Sequence, residues 1–435
     1  MSWQRARFSR KRFGAALAVT ALAGTLAACG SGSGGPGGNA VTEIRIGLIF
    51  PTTGAMAPLG VQQDNAAKLV LNWANAHGGI NGAKVKIFEG DSQSDPGTGA
   101  TVAQQLIDQD QVQILIGSYA SGIAQAIAPV AQRNKVVLWE IGAVAPTVAQ
   151  PGDHFFFRTV GASPTYAMAD LNFLKAYLAP KLGKPLSQVR VAVAHEDGPF
   201  GTSVAEAITN QAKPMGVNVV TDIAYSETSP DLTPVVLKLK AAKPDVLFIT
   251  PLVASTPVFW QNARTQNFNV KAVIGSAGFS SSAFLQKFGV KGVQGVYDVE
   301  APAVANMNHA SLQPQVRSAL ATLSASFQAK YGSPCLVHCG DAVGGTYDLV
   351  KYVLPGVVKS GSVTGDSVRA AALKVNVATG GTPQGFGLKI SPSTGDNSRA
   401  ESVIMQWQNG KLVVVYPQAL ASASPVFPMP TWSQR

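Results

Sequence analysis

The residues best placed to do chemistry lie between Val112 and Pro146. An apolar run, Ile114 to Ile116, stops at Gly117, and a helical pattern follows with Ile123, Ala126, Ile127, Val130 and Ala131 on one face. Ser121 and Gly122 stand where that helix begins. A hydroxyl beside free backbone N–H groups makes a ready site for an anion such as a carboxylate. The plainer reading of Ser121 is a helix cap, and the two roles are compatible. Other chemistry lacks its parts. Gly201-Thr202-Ser203-Val204-Ala205 misses the nucleophile-elbow pattern at its last glycine. His77, His154, His195, His309 and His338 show no pairing at metal-ligand spacing, and no phosphate or dinucleotide fingerprint occurs. His195, at a strand's carboxyl end, is either near the site or a solvated loop residue. Cys335 and Cys339, in SPCLVHCGD, read as a short-loop disulfide; with His338 and Asp341 they would still lack a second pair of metal ligands. Because i, i+4 cysteines on a regular helix are too far apart to bond, that segment is expected to be a loop. No catalytic residue, metal or cofactor is expected.

The start of the chain is a targeting segment. Arg5, Arg7, Arg10, Lys11 and Arg12 precede an uncharged run, Gly14 to Ala28, shorter than the roughly 20 residues that span a bilayer. The run ends in Leu26-Ala27-Ala28-Cys29, which resembles a lipoprotein lipobox, so residues 1–28 are expected to be removed and Cys29 lipidated. Ser9 to Phe13 only partly matches a twin-arginine signal, since a lysine takes the second arginine's place, and general secretion is expected. Residues 29–40 form a Gly/Ser tether. These features describe an exported body held at a membrane face. Without the leader the chain carries 29 basic against 24 acidic residues, a net of +5 with no basic stripe, so nucleic acid is not an expected partner.

Strand and helix patterns alternate along the body. Strands are expected at 43–50, 84–88, 114–116, 136–139, 189–194, 217–224, 246–250, 272–274 and 293–299. Helices are expected to end at Gly78-Gly79 and to fill 101–108, 203–213, 232–242, 256–265, 314–331, 342–354 and 366–372. Asn409-Gly410 turns a hairpin of 402–408 and 411–415. This is the grammar of an α/β protein with two doubly wound parallel-sheet lobes, and ligands of such sheets sit at the carboxyl edge of the strands.

Several stretches resemble the type I periplasmic binding proteins, specifically the branched-chain amino acid or leucine-binding receptors of ABC importers. They are IRIGLIFPTTGAMAPLG (44–60), NAHGGINGAKVKI (75–87), DSQSDP (91–96), IGSYASGIAQAIAPVA (116–131), FFFRTVGAS (155–163), EDGPFGTSVAE (196–206), PDLTPVVLKLKAAKPDVLFI (230–249) and GSAGFSS (275–281). The resemblance implies a Venus flytrap with three hinge crossings, near Thr159, Glu300 and Thr379. Lobe I would take 41–159 plus 300–378, and lobe II 160–299 plus 379–435. It implies a ligand carboxylate at Ser121 and Gly122, with further contacts from Gly142, Ala143 and Val144, where a family hydroxyl is replaced by valine. It also implies Phe200 at the stacking aromatic position, Leu252 at a second tyrosine position, Leu59 at a first-turn aromatic position, and Ala277 where relatives place the acid that meets an ammonium. For Phe200, Leu252 and Leu59 the alternative is core packing. Either Glu140, Glu196, Asp197 or Glu300 supplies the missing counter-charge, or the ligand is a mostly apolar carboxylate or amide; the lost polar groups favour the second. The implied partners are a small-molecule ligand, an ABC permease and, through Cys29, the membrane. The alternative role is a receptor that signals ligand binding to a membrane partner.

Overall fold

The computed structural model describes residues 40–150 and 152–435. The expected leader, the lipidated Cys29 and the tether to Asn39 lie outside the described residues.

In the first sheet the inner strands are mostly buried because both of their faces are covered, while the edge strand Lys84–Asp91 is half exposed and carries charges. Its strands are β1 (Glu43–Phe50), β2 (Lys84–Asp91), β3 (Ile114–Gly117), β4 (Val137–Glu140) and β5 (Phe156–Arg158), all parallel in the order β2-β1-β3-β4-β5. Between them run α1 (Ala57–Ala76), α2 (Pro96–Asp108) and α3 (Ser121–Asn134). The expected helix at 101–108 starts five residues earlier, because Asp95 accepts from the Thr98 N–H at 2.7 Å and Pro96 fits the first helical position.

After Arg158 the chain enters α4 (Ser163–Phe173), which continues through one π turn into α5 (Ala179–Leu182). No helix is expected here from the sequence, since the solvent face carries the apolar Met168, 53% exposed, and the buried face carries Asp170, which blurs the amphipathic stripe. Then come β6 (Arg190–Glu196), α6 (Pro199–Ala212), β7 (Asn218–Tyr225), α7 (Thr233–Ala241), β8 (Val246–Thr250), α8 (Ser255–Thr265), β9 (Ala272–Gly275), α9 (Ser282–Val293) and β10 (Tyr297–Glu300). The strand expected over 293–299 is therefore shorter: Val293 ends a helix, and Gly295, at φ 80°, turns the chain into β10. The stretch 196–201 is divided between two elements, with Glu196 closing β6 and Phe200 already in α6.

The chain next returns to the first sheet. Helices α10 (Pro314–Tyr331), α11 (Val337–Asp348), α12 (Leu354–Lys359) and α13 (Gly365–Ala372) follow, with α10 and α11 packed on α1 and α13 on β4. The hairpin of β11 (Val403–Gln408) and β12 (Lys411–Tyr416) then completes the second sheet, β12-β11-β10-β9-β8-β6-β7, in which only the pairs involving β11 are antiparallel. Cys335 and Cys339 are bonded, with Cα atoms 5.1 Å apart. The loop expected there is only half a loop: Cys335 precedes α11 and Cys339 lies in its first turn, so the pair escapes regular helical spacing.

Candidate functional site

A cavity of about 260 Å³ opens where the carboxyl ends of the two sheets meet. Its walls follow the strand order. Met56 follows β1, Ser94 and Pro96 follow β2, Tyr119 to Ile123 follow β3, and Gly142 follows β4. From the second sheet come Glu196 at the end of β6, Glu227 and Thr228 after β7, Leu252 after β8, Ala277 after β9 and Glu300 at the end of β10. Tyr166 of α4, the first turn of α6 with Phe200, and His338 and Asp341 of α11 complete it. This is the edge at which open α/β sheets hold ligands.

The cavity wall around Ser121 is held by a network of backbone N–H groups. Strand β3 ends at Gly117, where a side chain has no room because a Cβ would lie 2.3 Å from the Ile49 carbonyl oxygen. Ala120 occupies the cap position of α3 and offers no side-chain bond, so the capping role expected of Ser121 is corrected. Ser121 is the first helical residue, and its Oγ accepts from the Val144 and Ala145 N–H groups at 3.2 and 3.1 Å. Its own hydrogen meets no acceptor among the described residues. The turn it braces is organised by Glu140, a fully buried carboxyl that accepts from the N–H groups of Ser118, Ile141, Gly142 and Ala143. Burial raises the Glu140 pKa, and those N–H groups oppose the rise. Arg158, 1% exposed, closes the turn from behind by donating to the carbonyl oxygens of Ala143 and Ala145 and to Asp396.

Of the residues expected at the site, Ser121, Gly122, Gly142, Phe200, Leu252 and Ala277 line the cavity. Ala143, Val144 and Leu59 do not. The Ala143 N–H is held by Glu140, Val144 is buried among lobe-facing apolar side chains, and Leu59 sits at 0% exposure beside Ile49 and Ile123. Met56, three residues earlier, reaches the cavity instead. The Gly142 N–H is likewise spent on Glu140. Among the acids considered, Glu196 and Glu300 line the cavity, whereas Glu140 and Asp197 do not. His195 turns away, its Nδ1 2.8 Å from the Glu196 carbonyl oxygen.

The residues that sequence reasoning missed are mostly polar. Glu227 caps α8, accepting from the N–H groups of Leu252, Ala254 and Ser255 and from the Ser255 hydroxyl. Asp341 accepts only from Gln384 Nε2, at 3.1 Å. His338 lies edge-on to Tyr119 and 3.2 Å from Ser280 Oγ, and burial lowers its pKa to about 4, so it is neutral. Glu300, one of the acids considered from the sequence, accepts from the Tyr166 hydroxyl and from the Ala277 N–H, both at 2.6 Å. Burial pushes Glu300 up to about 7 against those two donors. Both acids of β10 and α11 had a signal in the sequence, being charged residues inside otherwise apolar or small-residue runs. No lysine or arginine lines the cavity. Among the described residues no group of side chains could hold a metal, and no helix is long and apolar enough to cross a membrane.

The sequence matches the periplasmic binding protein family over residues 43–411. It is 30% identical over 383 residues to the Leu/Ile/Val-binding protein homolog 7 of Brucella suis, covering 88% of this chain and 93% of that one. Two solved structures share the fold. The branched-chain amino acid transporter substrate binding protein LivJ from Streptococcus pneumoniae, in complex with isoleucine, superposes with a TM-score of 0.71 at 18% identity, over 86% of this chain and 100% of that one. A solute binding protein of an ABC transporter from R. palustris, in complex with benzoate, gives 0.71 at 18% identity over 88% and 98%.

Proposed function

Because the chain belongs to the periplasmic binding protein family, we propose that it is the extracytoplasmic solute-binding component of an ABC importer of the branched-chain amino acid class. Proteins of this kind bind and deliver; they do not turn over their ligand. In this reading lobe I is 41–159 with 300–378 and lobe II is 160–299 with 379–435. Residues 1–28 direct export, and a lipid on Cys29 keeps the body close to its membrane permease. The ligand is a small amino acid or a related, mostly apolar carboxylate or amide.

The observation that carries this reading is the cavity itself, walled by the carboxyl ends of both sheets with the open Ser121 hydroxyl at one end. A ligand carboxylate there gains the Ser121 hydrogen bond and the first-turn N–H groups of α3. A ligand bridging both walls favours the closed arrangement by the difference of its affinities for the two states.

The test combines thermal shift with X-ray scattering on the purified protein. The panel holds leucine, isoleucine, valine, phenylalanine, short amides and aromatic carboxylates. A ligand at 100 times its dissociation constant adds about 2.7 kcal/mol and contracts the radius of gyration. No stabilisation by any member, or scattering curves identical with and without a tight ligand, would overturn the proposal.

A further inference from the structure

The four carboxyls of the cavity are not equivalent. Glu196 is occupied by the Gly198 and Gly201 N–H groups at the start of α6, and Glu227 by the start of α8. Both complement helix N-termini, so their charge is already matched. Glu300 and Asp341 have no such match. Glu300 takes one hydroxyl and one N–H; Asp341 takes one amide on Oδ1, while its Oδ2 stays 3.9 Å from His338 Nδ1, outside hydrogen-bond range. The neutral His338 supplies no counter-charge. Asp341 is raised well above the usual carboxylate range by burial and by the charge of Glu300, so the two acids repel across a low-dielectric space.

A second feature points the same way. Tyr119 lines the cavity, is 7% exposed, and its hydroxyl has no partner among the described residues. A buried hydroxyl without a partner costs free energy that a polar ligand group would recover. The cavity thus offers an open donor at Ser121 and open acceptors at Glu300, Asp341 and Tyr119. Glu300 Oε1 lies 2.6 Å from the Ala277 nitrogen, so a carboxyl stands beside residue 277 although its own side chain is a methyl group.

We infer that Glu300 and Asp341 together receive a cation on the ligand, so that this protein selects a zwitterion with a protonated amine and discriminates against the same molecule without one. The inference rests on the solute-binding reading and narrows it. The acids come from β10 and from α11, which packs on the first sheet, so the cation also joins the two walls. This reverses the expectation that the lost acid at Ala277 leaves an apolar site.

Calorimetry on the purified protein tests it with matched pairs: leucine against 4-methylpentanoate, valine against 3-methylbutanoate, phenylalanine against 3-phenylpropanoate. At least one amino acid is expected to bind about tenfold or more tighter than its deaminated partner. Glu300→Gln, nearly isosteric, should weaken that amino acid by about tenfold or more while the deaminated acid changes less than about threefold; Asp341→Asn should act in the same direction. This split in selectivity is a readout that a merely structural loss would not produce. Equal or tighter binding of a deaminated acid, or an amino-acid affinity unchanged in both variants, overturns the inference and leaves the solute-binding reading standing. Silence from every member of both series overturns the two together.

Discussion

Replacing Ser121 with alanine removes one oxygen that carries two separate duties. In the folded protein Oγ accepts from the N–H groups of Val144 and Ala145, residues 1% and 0% exposed. Without it both donors are buried and unpaired, at about 1–3 kcal/mol each in well-formed cases. Here the bonds are long, 3.1 and 3.2 Å, and share one acceptor, so about 2 kcal/mol in total is expected. The second duty concerns the ligand. The Ser121 hydrogen is free to reach a carboxylate, and a hydrogen bond to a charged group contributes about 1.5–3 kcal/mol, or about 10- to 150-fold in dissociation constant. Urea unfolding of the ligand-free variant reads the first quantity and calorimetry with leucine the second. 3-Methylbutylamine, which lacks the carboxylate, serves as control and should bind wild type and variant alike. Leucine affinity within threefold of wild type would refute the carboxylate assignment. A stability loss alone would leave Ser121 as a brace for the 142–145 turn.

Three further outcomes follow from the geometry. Glu300 is surrounded by Tyr166 of α4, Tyr119, His338 and Asp341 of α11, and Asp298 of its own strand; burial raises both tyrosines, burial and the charge of Glu300 raise Asp298 and Asp341, and His338 is neutral above about pH 4. A ligand cation needs Glu300 ionised, so affinity is full above its pKa of about 7 and is lost as pH falls; from pH 8 to pH 6 leucine should weaken about tenfold, and a flat profile by calorimetry would contradict this. Arg158→Met strands the carbonyl oxygens of Ala143 and Ala145 and leaves Asp396 unpaired; because Asp396 keeps 28% side-chain exposure, about 2–4 kcal/mol of stability should be lost in urea unfolding, less than for a wholly buried pair. Gly201→Ala would put a Cβ 2.3 Å from the Glu196 carbonyl oxygen, a backbone atom that cannot step aside, and about 3 kcal/mol should be lost by the same measurement.

Period and punctuation revealed the architecture, because parallel strands buried on both faces are short apolar runs and the helices between them are mostly amphipathic. Where that contrast vanishes, legibility does too. Helix α4 exposes Met168 and buries Asp170, so its pattern does not read as amphipathic, and Val293 and Val299 belong to two elements separated by Gly295. The site was legible in part. Ser121 is legible as a cavity residue because its setting is local, made by one turn and one helix start. Glu227 reads in sequence as part of a solvated loop, and only the fold shows it capping α8 at the cavity wall. Asp341 and His338 are distant in sequence from every other wall residue. Leu59, Ala143 and Val144 are expected at the site by resemblance and do not line the cavity; for the last two the direction of the turn depends on its hydrogen bonds to Glu140 and Ser121.

That most of the cavity's walls begin where strands end has an evolutionary consequence. The strands carry the buried apolar surface on which folding depends, whereas the wall residues are single positions just beyond them. Ligand preference can therefore change by one substitution at a time while the inherited scaffold stays intact. Proteins of this fold that hold isoleucine in one case and benzoate in another fit that separation, and a descendant's cargo is better read from its strand ends than from its ancestry.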